Sequence, residues 1–173
     1  MPKPRDFKTV DVVSWRKRQL LKSALADAGD LETILDLPCG DARFWPVYRD
    51  MGVSSLVGAE VSKGMLDIAS GNRLSSNFPE KLMLTSAFDI ELEDRSVDFV
   101  ACIDFYQHFQ SKQGQGKLLS EFGRVSRGYL ALSASIGKGT EKQFTQSGFN
   151  IEGFYDLWPV LPTWRLYLLR KQD

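Results

Sequence analysis

The chain has 173 residues, 43% of them apolar and 12% aromatic, which suits a single globular domain with a substantial core. Lys and Arg number 22 and Asp and Glu 22, so the formal net charge is zero and the basic surplus usual for a nucleic-acid binder is missing. One histidine and two well-separated cysteines argue against a metal centre. Cys39 and Cys102, expected in buried strand ends, read as reduced thiols. With neither a signal-peptide pattern nor an apolar run of bilayer length, a cytoplasmic location is the default expectation.

Residues 1–9 read as a loose arm. From Val12 to Ala28, Val12, Trp15, Leu20, Leu21, Ala24, Leu25 and Ala28 recur at helical spacing, opposite Arg16, Lys17, Arg18 and Lys22, with Gly29 as the stop. That basic run reads as a solvated face. A strand ending at Asp36 leads through a turn at Pro38-Cys39-Gly40 into a helix expected over Ala42 to Met51. Strand Ser54 to Glu60 follows, then a helix capped by Ser62, running to Ser70 and closed by Gly71-Asn72.

Leu82 to Ser86 and the almost wholly apolar Val97 to Ile103 read as the third and fourth strands, joined by an acidic loop too short for a crossover helix. Lys117 to Val125 is expected to be helical, Tyr129 to Ser135 a fifth strand, and Glu141 to Ser147 a helix ended by Gly148. Phe149 to Tyr155 and Trp164 to Leu169 close the chain as a hairpin, which makes the last strand antiparallel. The expected fold is α/β: a Rossmann-like, seven-stranded, mostly parallel sheet with helices on both faces. Residues 1–30 form an arm and helix that could cover a substrate, and 31–173 the main domain.

In such a sheet, ligands bind beyond the carboxyl ends of the strands, at the N-termini of the following helices. Gly40 lets a ligand approach the backbone, and Glu60, twenty residues on, stands where an acid holds a ribose. A dinucleotide turn wants G-x-G-x-x-G, yet those places are Pro38, Gly40 and Arg43. Asp36 and Asp41 also disfavour a pyrophosphate. A cationic nucleoside such as S-adenosylmethionine fits better, its amino-acid part meeting the acid at the end of the first strand.

Ile34-Leu35-Asp36-Leu37-Pro38-Cys39-Gly40-Asp41-Ala42-Arg43-Phe44 and Val57-Gly58-Ala59-Glu60-Val61-Ser62-Lys63-Gly64-Met65-Leu66 resemble the first two motifs of class I S-adenosylmethionine-dependent methyltransferases. Leu92 to Val100, Ile103-Asp104-Phe105-Tyr106-Gln107-His108-Phe109 and Glu121 to Val125 are similar to three later ones, in the family's order. The resemblance implies S-adenosylmethionine as cofactor, held by Asp36, Pro38, Cys39, Gly40, Arg43, Glu60, Val61, Met65, Ile103 and Asp104. Ser86 stands where many relatives carry an acid for the adenine amino group, so Asp89, or the backbone at Ala87 and Phe88, takes that contact.

The implied reaction is a single in-line displacement on the methyl carbon, with a general base where the nucleophile is protonated. His108 is the candidate base; the other reading is a histidine that packs or caps a helix start. Trp15, Phe105 and Tyr106 are candidates for a small-molecule acceptor of apolar or aromatic character, whereas Trp164 reads as a strand residue. The missing Asn/Asp-Pro-Pro-aromatic motif after the fourth strand weighs against base methylation in nucleic acid. The short Ile136 to Thr140 connection keeps open a non-catalytic module of the same fold that binds the cofactor as a sensor or scaffold.

Overall fold

A computed structural model describes residues 12–72, 80–137, 139–160 and 162–172. The expected arm, 1–9, lies outside the described residues. Helix α1 (Val12–Ala28) buries Leu20, Leu21, Ala24 and Leu25. It stops at Gly29, whose φ of 87° lies in the left-handed region. Then follow β1 (Thr33–Asp36), α2 (Trp45–Asp50), β2 (Ser55–Glu60), α3 (Lys63–Gly71), β3 (Glu80–Leu84) and β4 (Val97–Cys102). A 3-10 turn (Tyr106–His108), α4 (Lys112–Val125), β5 (Ser126–Ser135), α5 (Thr140–Gln146), β6 (Phe149–Asp156) and β7 (Trp164–Lys171) complete the chain.

The strands form one sheet in the order β3-β2-β1-β4-β5-β7-β6. Strand β1 pairs in parallel with both β2 and β4, so the chain's connections diverge there and leave a crevice outside its carboxyl end. Only β7 is antiparallel, pairing with β5 on one side and β6 on the other. Alternate residues feed two cores. Leu35, Val57 and Val100 pack against α4 and α5 residues such as Leu118 and Phe144, while Ile34, Leu56 and Phe99 pack against α1 and α2.

Several boundaries differ from expectation, among them the start of β5, at Ser126 rather than Tyr129, and three have a visible local cause. Helix α2 starts at Trp45 rather than Ala42, because Ala42 has a φ of 64°, which no right-handed helix accommodates. Helix α4 starts five residues early: Ser111 accepts the Gly114 amide and so caps a first turn that Gly114 and Gly116 had masked. Strand β3 ends at Leu84, and the residues beyond it turn, Thr85 Oγ1 donating to the Asp89 carbonyl and the Asp89 amide to that of Ser86.

The irregular connection between β3 and β4 is fixed by one side chain. Arg124 donates to the carbonyls of Ile90 and Leu92 and to the carboxylates of Asp94 and Glu121. Glu121 in turn accepts the Ile90 amide. Helix α1 is part of the core, since burying each of its leucines contributes about 1.5–3 kcal/mol. Removing residues 1–28 would therefore open the core, and only point substitutions test what this helix does at the crevice.

Candidate active site

The turn after β1 stays tied to both neighbours, the Leu37 amide donating to Ala101 and the Cys39 amide to Ala59. Gly40, with a φ of 55°, sits where a Cβ would meet open space. It lines a cavity of about 200 Å³ with Pro38, Cys39, Arg43, Ile103 and Asp104. Six of the expected cofactor residues thus meet in one place. Arg43 is paired with Asp41, its Nε 2.7 Å from Oδ1.

Asp36 is 1% exposed and does not line this cavity. The Trp45 indole donates to its Oδ2 at 3.1 Å. The Tyr48 hydroxyl lies beside the carboxylate, but neither it nor Oδ1 has a hydrogen bond of normal geometry. Gly58 is the β2 partner of Asp36, and the Trp45 ring packs on its bare backbone. Asp36 is thus held under the turn by Trp45, with one carboxylate oxygen, Oδ1, left without a hydrogen-bond partner.

Burial pushes the Asp36 carboxyl up to about 7 from an ordinary 3.8, opposed by Tyr48 and Trp45 and reinforced by Glu60 and Asp41. Burial, followed by Asp36 and Glu60, likewise pushes the Cys39 thiol up to about 12, so it stays protonated and unreactive. The folded protein keeps the Asp36 proton that the unfolded chain releases near pH 4. The stability this gives is complete below that pH and is lost as pH rises to about 7. Asp36→Asn should abolish a fall of up to about 4 kcal/mol in unfolding free energy over that window. Urea titrations of both proteins at a series of pH values would show it as a difference in slope.

At the end of β2, Glu60 is 8% exposed, and its Oε1 accepts the amides of Val61 at 2.9 Å and Ser62 at 3.3 Å. Ser62 caps α3 by accepting the Met65 amide, which sets Met65 half-buried beside this strand end. Past β3, Ala87 is buried, Asp89 is exposed, and the Ser86 hydroxyl is engaged by the Phe88 amide. The Phe88 ring meets Phe109 edge-on at 5.0 Å, and Phe109 meets Phe105 at 4.9 Å. These aromatics join the β3 turn to the segment after β4.

Asp104 is the hub of that segment. Its φ is 59°, its amide donates to Ser133 Oγ at 2.6 Å, and its carbonyl faces His108 Nε2 at 3.1 Å. Its carboxylate accepts Lys17 Nζ at 2.7 and 2.6 Å and the Trp164 indole at 2.8 Å. Lys17 differs from the sequence expectation, since it is no solvated charge, while Trp164 is the strand residue expected, at the start of β7, and also donates to Asp104. The signal for Lys17 was present: it precedes Leu20, Leu21, Ala24 and Leu25 by three, four, seven and eight residues, on the buried stripe. Trp15 lies off that stripe and is 49% exposed.

His108 is exposed on the 3-10 turn. A carbonyl can only accept, so Nε2 is the donor in this contact. Phe105 is half-buried. Tyr106 is 2% exposed, tilted against Phe144, and borders a second cavity of about 320 Å³ with Gln107, Gln115 and Ala134. Among the described residues, no group of three or more His, Cys, Asp or Glu side chains could hold a metal ion. None of the described helices is long and apolar enough to cross a membrane.

A parallel sheet reversing at β1, a glycine-floored cavity beyond it and an acid at the end of β2 define an α/β domain built to hold a nucleoside ligand. Residues 35–132 match the family model described as a methyltransferase domain. The chain belongs to this family, and its seven strands have the class I, Rossmann-like arrangement. It is similar in fold to magnesium protoporphyrin IX methyltransferase from Synechocystis PCC 6803 with bound SAH, at 14% identity and a TM-score of 0.78, covering 99% of this chain and 90% of that one. A SAM-dependent methyltransferase from Leishmania major is similar at 15% identity and a TM-score of 0.79, covering 92% and 74%. One from Clostridium acetobutylicum ATCC 824 is similar at 12% identity and a TM-score of 0.77, covering 95% and 94%. No curated protein matches the sequence.

Proposed function

We propose that this protein is an S-adenosylmethionine-dependent methyltransferase acting on a small-molecule acceptor. The observation that carries the reading is the cavity over Gly40, where a Cβ would project into open space, set between Asp104 and Arg43 and one strand away from Glu60. These residues fit a ligand with a ribose at one end and an amino acid at the other. Glu60 would hold the ribose hydroxyls, Arg43 and the Gly40 backbone the amino-acid part, and Met65, Ala87 and Phe88 the base. When bound, the sulfonium donor supplies an already electrophilic methyl carbon, so the chain has mainly to orient the acceptor and exclude water.

His108 supplies the base when the acceptor is protonated. His108→Ala is expected to lower turnover about 100-fold at saturating cofactor while leaving cofactor affinity unchanged, because the ring is exposed and lies outside the Gly40 cavity. Unchanged turnover would make His108 only a brace for the Asp104 carbonyl. Calorimetry with S-adenosylmethionine and S-adenosylhomocysteine, paired with a turnover screen over neutral, aromatic and amine acceptors, tests the whole reading. Indifference to both nucleosides would overturn it, and tight binding with no turnover would favour a sensor or scaffold role.

A further inference from the structure

Among the described contacts, the crevice already holds one ammonium group. Lys17 Nζ lies 2.6 Å from Asp104 Oδ2 and 2.7 Å from Oδ1, and 4.8 Å from the centroid of the Trp164 ring. The same indole donates to Asp104 Oδ1, so ring and carboxylate are fixed relative to each other. The Lys17 side chain is only 15% exposed. A carboxylate on one side, an aromatic face on the other and partial removal of water are the elements by which proteins recognise alkylammonium ions. Ser133 and His108 hold the Asp104 backbone at positive φ, which keeps the carboxylate in place when its occupant leaves.

Helix α1 reaches across the cavity to do this. Lys17 grips Asp104 on the β4 side, and the next residue, Arg18, donates from Nε to the Arg43 carbonyl on the β1 side at 2.9 Å. The enclosed volume, about 200 Å³, is smaller than the 300–1,000 Å³ usual for small-molecule sites. We propose that Asp104 and Trp164 form an ammonium-binding site of which Lys17 is the built-in occupant, so that a primary-amine ligand and helix α1 compete for one carboxylate. The amine can belong to the amino-acid end of the methyl donor or to a separate ligand. Only the donor case rests on the function proposed above.

A tethered competitor acts at millimolar effective concentration or more, so removing its charge should tighten amine binding at least about 10-fold. The probe is n-butylammonium, titrated into full-length wild type and Lys17→Met and followed by the indole N–H resonance of Trp164. The expected result is saturable binding about 10-fold tighter in Lys17→Met and lost in Lys17→Met/Asp104→Asn. In wild type, the same amine should raise the acylation rate of Lys17 relative to exposed Lys63, a readout that needs no variant to fold. A Trp164 signal that never saturates, binding that survives Asp104→Asn, or a Lys17 acylation rate indifferent to amine would each overturn the proposal. S-adenosylhomocysteine tightened by Lys17→Met, with its deaminated analogue unaffected, assigns the site to the donor. A gain for n-butylammonium alone assigns it to a separate amine, and neither arm depends on methyl transfer.

Discussion

Glu60→Ala is expected to weaken S-adenosylmethionine and S-adenosylhomocysteine binding about 100-fold, the largest effect on cofactor affinity of any single substitution in the crevice. The carboxylate stands at the end of β2, almost buried, with Oε1 committed to the Val61 and Ser62 amides. That commitment fixes the side chain before a ligand arrives, so little rotamer entropy remains to be lost on binding. A hydrogen bond to a charged acceptor contributes about 1.5–3 kcal/mol, and a ribose presents two hydroxyls, so a loss of about 3 kcal/mol, or 100-fold, follows. Glu60→Gln should fall between, since its amide nitrogen cannot accept. Calorimetry with both nucleosides measures the effect, and unchanged affinity would move the ribose away from β2.

Gly58→Ala should give the largest loss of stability, about 3 kcal/mol, or on the order of 10 °C in Tm. A Cβ at this position would clash with the Cζ2 atom of the Trp45 ring, which is fully buried. The ring must move away, and the Asp36 carboxylate then loses its one indole donor in an enclosed site. Thermal unfolding measures the shift. Trp45→Leu in the same background separates the two causes: it makes room for the methyl group, so Gly58→Ala should cost less there than alone.

Long periodic segments were legible in the sequence. Helix α1 and the apolar strands β2 and β4 lie within a residue of where their patterns put them, because burial on one stripe or two faces leaves a strong signature. The start of α4 was hidden by two glycines, and the delayed start of α2 by a backbone turn at Ala42 that its side chain does not advertise. At the site, the residues around Gly40 come together because the turn itself brings them together. For Asp36, the position along the strand was visible in the sequence and the burial was not. Alternation puts it with Ile34, on the side that α2 covers. Lys17 and Trp164 were harder still, because they meet Asp104 across 87 and 60 positions of chain.

Arg124 gives the two sides of the crevice unequal mechanics. By gripping two carbonyls and two carboxylates at once, this guanidinium makes the irregular β3–β4 connection travel with α4 as a solid body. Across the crevice, the front of α1 contributes the Lys17–Asp104 ion pair and the Arg18 bond to the Arg43 carbonyl. Amide exchange should accordingly be slow at Ile90, whose N–H is held by Glu121.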